Sequence, residues 1–246
     1  MAKFIIVASG KGGTGKTSLS AGISAALAVM GRRVLVIDGD SGLRNLDIVL
    51  GMSDRVVFSF ADVASGMVPL EEAAAPHPEL SGLYLLTAPS EPPLEILSNG
   101  GMSRLADQAE EFDYVIIDGP AGLAPEFRAF ASVATQAIIV ANTDGASLGG
   151  AERIARMLED EYVPRMRLVV NRIRPKLIRQ GAVGTVDDAI DSTGLQLLGI
   201  VPEDVNVTIC AGSGSPIVTS RYDGAARAYT NIARRLEGEK IPLMKI

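Results

Sequence analysis

The chain has 246 residues, 47% apolar and 21% charged, with a single cysteine and a formal net charge of −6. Length and apolar content suffice for a sizeable core in one domain over residues 1–246, and the charged fraction excludes extensive disorder. The acidic balance disfavours a surface held to nucleic acid by bulk electrostatics, and the lone Cys210 excludes an internal disulfide and fits a reducing compartment. No run of about 18 apolar residues is free of charges and breakers, and the chain moves into a strand pattern without a signal-peptide core, so a cytoplasmic location is expected.

In chain order, the first apolar run is Phe4–Ala8, followed at once by SGKGGTGKTS, Ser9 to Ser18. From Gly10 this matches the phosphate-loop spacing, four residues and then Gly15, Lys16 and Thr17. Glycines let several backbone N–H groups point at one anion, and the free amides of a following helix add to them. The spacing predicts that helix up to Met30, with Leu19, Ile23, Leu27 and Met30 on one face, Gly31 as its C-terminal cap, and Ser20, Ala21, Gly22 and Ala25 letting it approach the sheet. Further short apolar runs follow at Val34–Ile37, Leu83–Leu86, Val115–Ile117, Ala137–Val140, Leu168–Val170 and Leu197–Val201. They are uniform rather than alternating, the pattern of strands buried on both faces of a parallel sheet. Helical spacing separates some of them, as in Met102, Leu105 and Ala109, and again in Leu148, Ala151, Ile154 and Leu158. The expected fold is α/β, a doubly wound, mostly parallel sheet of about seven strands flanked by helices.

Such sheets bind ligands beyond the carboxyl ends of their strands. Those ends carry polar groups: Asp38, Gly39 and Asp40; Asp118, Gly119 and Pro120; Asn171; and Pro202, Glu203 and Asp204. Phosphoryl transfer needs positioned phosphates, a metal and an oriented nucleophile more than covalent help. The loop therefore implies a bound nucleoside triphosphate, with Lys16 reaching its β- and γ-phosphates and the Thr17 hydroxyl suited to ligate Mg2+. Asp118 fits the carboxylate that holds the metal through water, with Asp38 sharing that duty. Asp40 is the candidate to orient the attacking water. Gly119 and Gly122 suit a loop that senses the γ-phosphate, Asn171 suits an adenine edge, and the Pro202–Asp204 turn suits a wall for the base. Lys11 is a second lysine after the first glycine, either an exposed loop residue or one available to a phosphate across an interface.

KGGTGKT, with Lys11 preceding Lys16, resembles the deviant Walker A motif of the MinD/ParA class of P-loop ATPases. GLRNLD, Gly42 to Asp47, narrows the resemblance to the MinD family, whose members help position the bacterial division site. DGPAG (Asp118–Gly122) is similar to its switch II region, and NRIRP (Asn171–Pro175) and GIVPED (Gly199–Asp204) to later motifs. The resemblance implies an ATP-dependent homodimer with Mg2+ and slow hydrolysis stimulated by a protein partner, and no strong DNA binding. A flagellar-number regulator or a ParA-like partitioning ATPase is the alternative within the class. Carried over by residue, it implies Lys11, Lys16 and Asp40 as catalytic, Lys11 acting on the partner's nucleotide. The nucleotide set becomes Gly10, Lys11, Gly12, Gly13, Thr14, Gly15, Lys16, Thr17, Ser18, Asn171, Arg172, Pro202, Glu203 and Asp204, and the metal set Thr17, Asp38 and Asp118.

The sequence departs from the family in two places. Thr14 replaces a commoner valine. The family's membrane-binding amphipathic helix has no counterpart in GEKIPLMKI, where Gly238 and Pro242 interrupt any helix, so no direct anchor is expected in this chain, and membrane association would need a partner or an absent C-terminal segment. Cys210 reads as a packed residue, since an iron–sulfur cluster needs several thiolates. His77, between two prolines, reads as loop. The cluster Arg172, Arg174, Lys176 and Arg179 reads as a solvated surface or a partner site, and Arg44 and Asp47 suit either a nucleotide-state signal or capping.

Overall fold

The computed structural model describes residues 2–41, 43–120, 122 and 124–244. Among the described residues, eight strands form one sheet: β1 (Lys3–Ala8), β2 (Val34–Asp38), β3 (Ala75–Pro76), β4 (Leu83–Leu86), β5 (Tyr114–Asp118), β6 (Gln136–Ala141), β7 (Met166–Ile173) and β8 (Gln196–Pro202). Their order is β3-β4-β2-β5-β1-β6-β7-β8, parallel throughout except for β3 against β4. Seven strands fall on the seven apolar runs. The eighth, β3, is two residues long and contains a proline, too short to leave a period in the sequence and tolerated only because it is an edge.

The uniform apolar runs have the expected cause. Successive residues of β1 alternate between two cores: Phe4, Ile6 and Ala8 pack on one side of the sheet, Ile5 and Val7 on the other. The second core holds the helix Lys16–Val29 through Leu19, Ile23 and Leu27, each fully buried and each worth roughly 1.5–3 kcal/mol of apolar transfer. That helix ends as read. Gly31 takes φ 83°, its N–H donates to Ala28 O at 2.9 Å, and Arg32 N–H donates to Leu27 O at 3.1 Å, a Schellman closure. The small-residue face is shared differently from the expectation: Gly22 lies against the Tyr229 ring of the helix Gly224–Leu236, where a β-carbon would come within 2.2 Å.

His77 lies outside helix and strand as read, yet it is buried, and its Nδ1 accepts the amides of Glu79 and Leu80, each at 3.1 Å. Burial pushes its pKa below the ordinary 6.5. Cys210 is buried beside Ser220. Past Leu236 the described tail forms no helix or strand; Arg235 holds it by donating to the carbonyls of Ile241 and Pro242. Lys245 and Ile246 of that tail lie outside the described residues, as do Gly42 and Ala121 of the motifs above. No described helix is long and apolar enough to cross a membrane.

Candidate phosphate-loop site

β1 lies between β5 and β6, so the loop that leaves it is flanked by the ends of both. Gly10 packs on the backbone of the helix Gly145–Asp160, where a β-carbon would meet Gly150 O at 2.1 Å. Gly15 takes φ 90°, and a β-carbon there would meet the Asn171 amide at 2.3 Å. Around Gly12 and Gly13, by contrast, there is open space. The first helical bond runs from Leu19 N–H to Gly15 O at 3.0 Å. The earlier amides of that turn have no helical acceptor and add to the positive end of the helix.

Lys16 and Asp118 meet at the centre. Lys16 Nζ donates to Asp118 Oδ1 at 3.0 Å, with the lysine side chain 7% and the aspartate 1% exposed. Ser20, one turn beyond Lys16 on the same helix face, donates to the same oxygen at 2.9 Å. Among the described residues, Asp118 Oδ2 is buried with no hydrogen-bond partner. An unpaired buried carboxylate oxygen costs stability, and that orphan is what a site for a hydrated cation supplies. Asp38 sits directly across from Asp118 in the β2–β5 register. Its oxygens accept from the amides of Asp40, at 3.0 Å, and Leu46, at 3.1 Å. Burial, reinforced by the neighbouring Asp118 charge, pushes the Asp38 pKa from 3.8 up to about 6.

Asp38 therefore ties together both ends of segment 40–46. Asp40 is half-buried at its start, its carbonyl accepting from Arg44 N–H at 3.1 Å. Arg44 takes the left-handed φ of 45°, and Asp47 is buried, accepting its neighbour's amide at 2.9 Å. On the other flank Gly122 N–H donates to Ser9 O at 3.2 Å, bringing the end of the second candidate switch onto the loop.

Lys11 is exposed and paired with Asp144 Oδ1 at 3.0 Å. The same oxygen accepts from Ser147 N–H and caps the helix Gly145–Asp160. Burial works against ionisation of Asp144, but Lys11 and the Ser147 amide outweigh it and hold the carboxyl below its ordinary value.

A cavity of about 430 Å3 opens beside the loop. Gly15, Ser18, Asn171, Arg172, Pro202, Glu203 and Asp204 all line it, so the base-side residues read from three separate motifs do converge. Their polar groups are more occupied than the sequence suggested. Asn171 Nδ2 donates to Thr14 O at 2.8 Å, and its Oδ1 accepts from Arg172 N–H at 2.9 Å. Asp204 caps the helix Val205–Gly212 through Asn206 and also accepts from Ala225 N–H. Burial opposes ionisation of Asp204, yet those amides bring its pKa below the ordinary value. Glu203 is ion-paired with Arg174. Val205, Val207, Thr208 and Tyr229 complete the wall and were not singled out, because each reads as ordinary helix content. Ser20 had a signal, its i+4 spacing from Lys16; Asp144 had one as a helix cap; Asn142, just past β6, had none.

A loop of this construction at the carboxyl ends of a parallel sheet is the phosphate site of a P-loop nucleotide-binding domain. The family model of the CobQ/CobB/MinD/ParA nucleotide binding domain matches residues 5–217. The septum site-determining protein MinD of Synechocystis is 37% identical over 99% of this chain and 92% of its own length. Among solved structures, the MinC:MinD cell division protein complex of Aquifex aeolicus matches with TM-score 0.91 and 36% identity over 99% of both chains. MinD of Pyrococcus horikoshii, complexed with Mg-ADP, matches with TM-score 0.84 and 28% identity over 96% of each. The chain belongs to the MinD family of septum site-determining proteins and carries its nucleotide-binding ATPase domain.

Proposed function

We propose that this chain is an ATP-operated switch in division-site placement. ATP joins two copies into a dimer that engages a protein partner, and slow, partner-stimulated hydrolysis separates them. The observation that carries the reading is the buried Lys16–Asp118 pair beneath the open glycine loop. A polyphosphate entering the loop offers Lys16 a more highly charged acceptor, and Asp118 is then released from the lysine, with Oδ1 still accepting from Ser20 and Oδ2 open to a metal's water. Thr17 would hold the magnesium ion directly and Asp38 and Asp118 through water, where the metal would neutralise charge building up on the phosphates. The relative from Pyrococcus horikoshii was solved with Mg-ADP, which supports a nucleotide with Mg2+ as the ligand.

Asp38 then links chemistry to shape. It accepts the amides of Asp40 and Leu46, so a change in its charge or partners pulls on both ends of the segment between them. Asp40, carried by that segment, orients the attacking water. Lys11 is the residue for a partner's nucleotide. Its pair with Asp144 is solvent-exposed, and exposed pairs are worth about 0–1 kcal/mol, so it is readily exchanged for a phosphate. The Aquifex aeolicus relative was solved with MinC, which supports a protein partner of that kind.

Calorimetric titration tests the assignment of the site. The wild-type chain binds MgATP and Lys16→Ala does not; undiminished binding by Lys16→Ala overturns the phosphate-loop reading.

A further inference from the structure

A phosphate loop works when its N–H groups face the anion. Carbonyls of the same peptides then point away and need donors of their own wherever they are buried. Thr14, at the turn of the loop into its helix, is 1% exposed, so its carbonyl carries that demand. Two side-chain amides meet it. Asn171, from the carboxyl-terminal half of β7, donates Nδ2 at 2.8 Å. Asn142, just past β6, places its amide nitrogen 3.3 Å from Thr14 O and 3.2 Å from the Asn171 carbonyl when its amide is turned to satisfy both acceptors.

Asn142 is held in place for this. Its backbone N–H donates to Ser147 Oγ at 2.9 Å, and Ser147 N–H in turn donates to Asp144 at 3.0 Å. Two other roles are already filled by neighbours. Asp144 caps the helix that follows, and the cavity beside the loop is lined by Asn171 and not by Asn142. The Lys11–Asp144 pair, exposed to solvent, is too weak to fix the loop, and the Gly10–Gly150 contact supplies close packing without a hydrogen bond.

We propose that Asn142 is a positioning residue for nucleotide binding. With Asn171 it clamps the Thr14 peptide with its carbonyl outward and so presets the loop before a phosphate arrives. The proposal rests on reading Gly10–Ser18 as the phosphate loop, and it explains why an amide outside every nucleotide motif lies between two carbonyls at the loop's back.

The test compares Asn142→Ala, Asn142→Gln and Asn142→Asp in the full chain. Losing two hydrogen bonds to buried carbonyls weakens binding of MgADP and MgATP alike, by about tenfold. Amide exchange across residues 10–17 of the nucleotide-free protein accelerates, while β1, β6 and β7 exchange at the native rate. Asn142→Gln, which keeps a donor, recovers part of the affinity; Asn142→Asp, which keeps the size but not the donor, does not. Native affinity with native loop exchange in Asn142→Ala overturns the proposal. Equal acceleration in β6 and β7 also overturns it, because that marks a contact serving the fold alone. Lys16→Ala is measured alongside: if it keeps nucleotide, the phosphate-loop reading falls, and if it alone loses nucleotide, only the role of Asn142 falls.

Discussion

Asp38 combines burial, a neighbouring carboxylate and two accepted amides, and the balance has a measurable cost. Its pKa stands at about 6 against an ordinary 3.8. Between those values the folded chain binds a proton that the unfolded chain has released. Stability therefore falls as pH rises through that window, and the penalty is fully present above about pH 6. Displacement from 3.8 to about 6 corresponds to ~3 kcal/mol at most. Asp38→Asn removes the titration. It also disturbs one of the two accepted amides, a loss of about 1 kcal/mol that does not vary with pH. The informative quantity is accordingly the slope rather than the absolute stability. Urea unfolding of the nucleotide-free protein from about pH 4 to about pH 7 should show the wild type losing up to ~2.4 kcal/mol more than Asp38→Asn. Parallel stability curves would refute the argument that a charged Asp38 is held against its preference until a cation arrives.

Three further expectations follow from the same geometry. Lys16→Ala leaves Asp118 buried and unpaired, so the nucleotide-free protein loses about 3–5 kcal/mol; the double variant with Asp118→Asn regains much of that in urea unfolding without regaining nucleotide. Lys11→Ala changes nucleotide-free stability by less than about 1 kcal/mol, because its pair is exposed, yet impairs ATP-driven dimerisation when mass is measured in solution. Asp204→Ala removes a helix cap and the tie to Ala225, costing about 1–2 kcal/mol in thermal unfolding, with the stability loss present whether or not nucleotide is added.

The phosphate loop was legible because its information is local: glycine positions set the backbone curl within nine residues of chain. Strands were legible for a related reason. A run buried on both faces needs no partner to be recognised, whereas Ala75–Pro76 is a strand only because β4 lies beside it. What failed to show was how strand-end groups share one another's valences. Asn171 reads as an amide free to meet adenine, yet its nitrogen is engaged by Thr14, 157 residues away in sequence. Asp204 reads as a wall for the base; it lines the cavity and in addition joins two helices, which the sequence does not show. Asn142 looks like any polar residue after a strand, since nothing in its neighbours reveals that the phosphate loop passes behind it. Gly10 was assigned to phosphate approach, and the structure adds a second demand on it from Gly150.

On the proposed reading, a site half-built in one chain is completed by a second copy. Its most direct test is the solution mass of Asp40→Ala with MgADP and with MgATP. This variant is expected to bind nucleotide and to arrest turnover. A monomer with MgADP that becomes a dimer with MgATP is the predicted result, with Lys11→Ala added in the same chain reversing it. A mass that is the same with both nucleotides would mean that ATP does not join two copies.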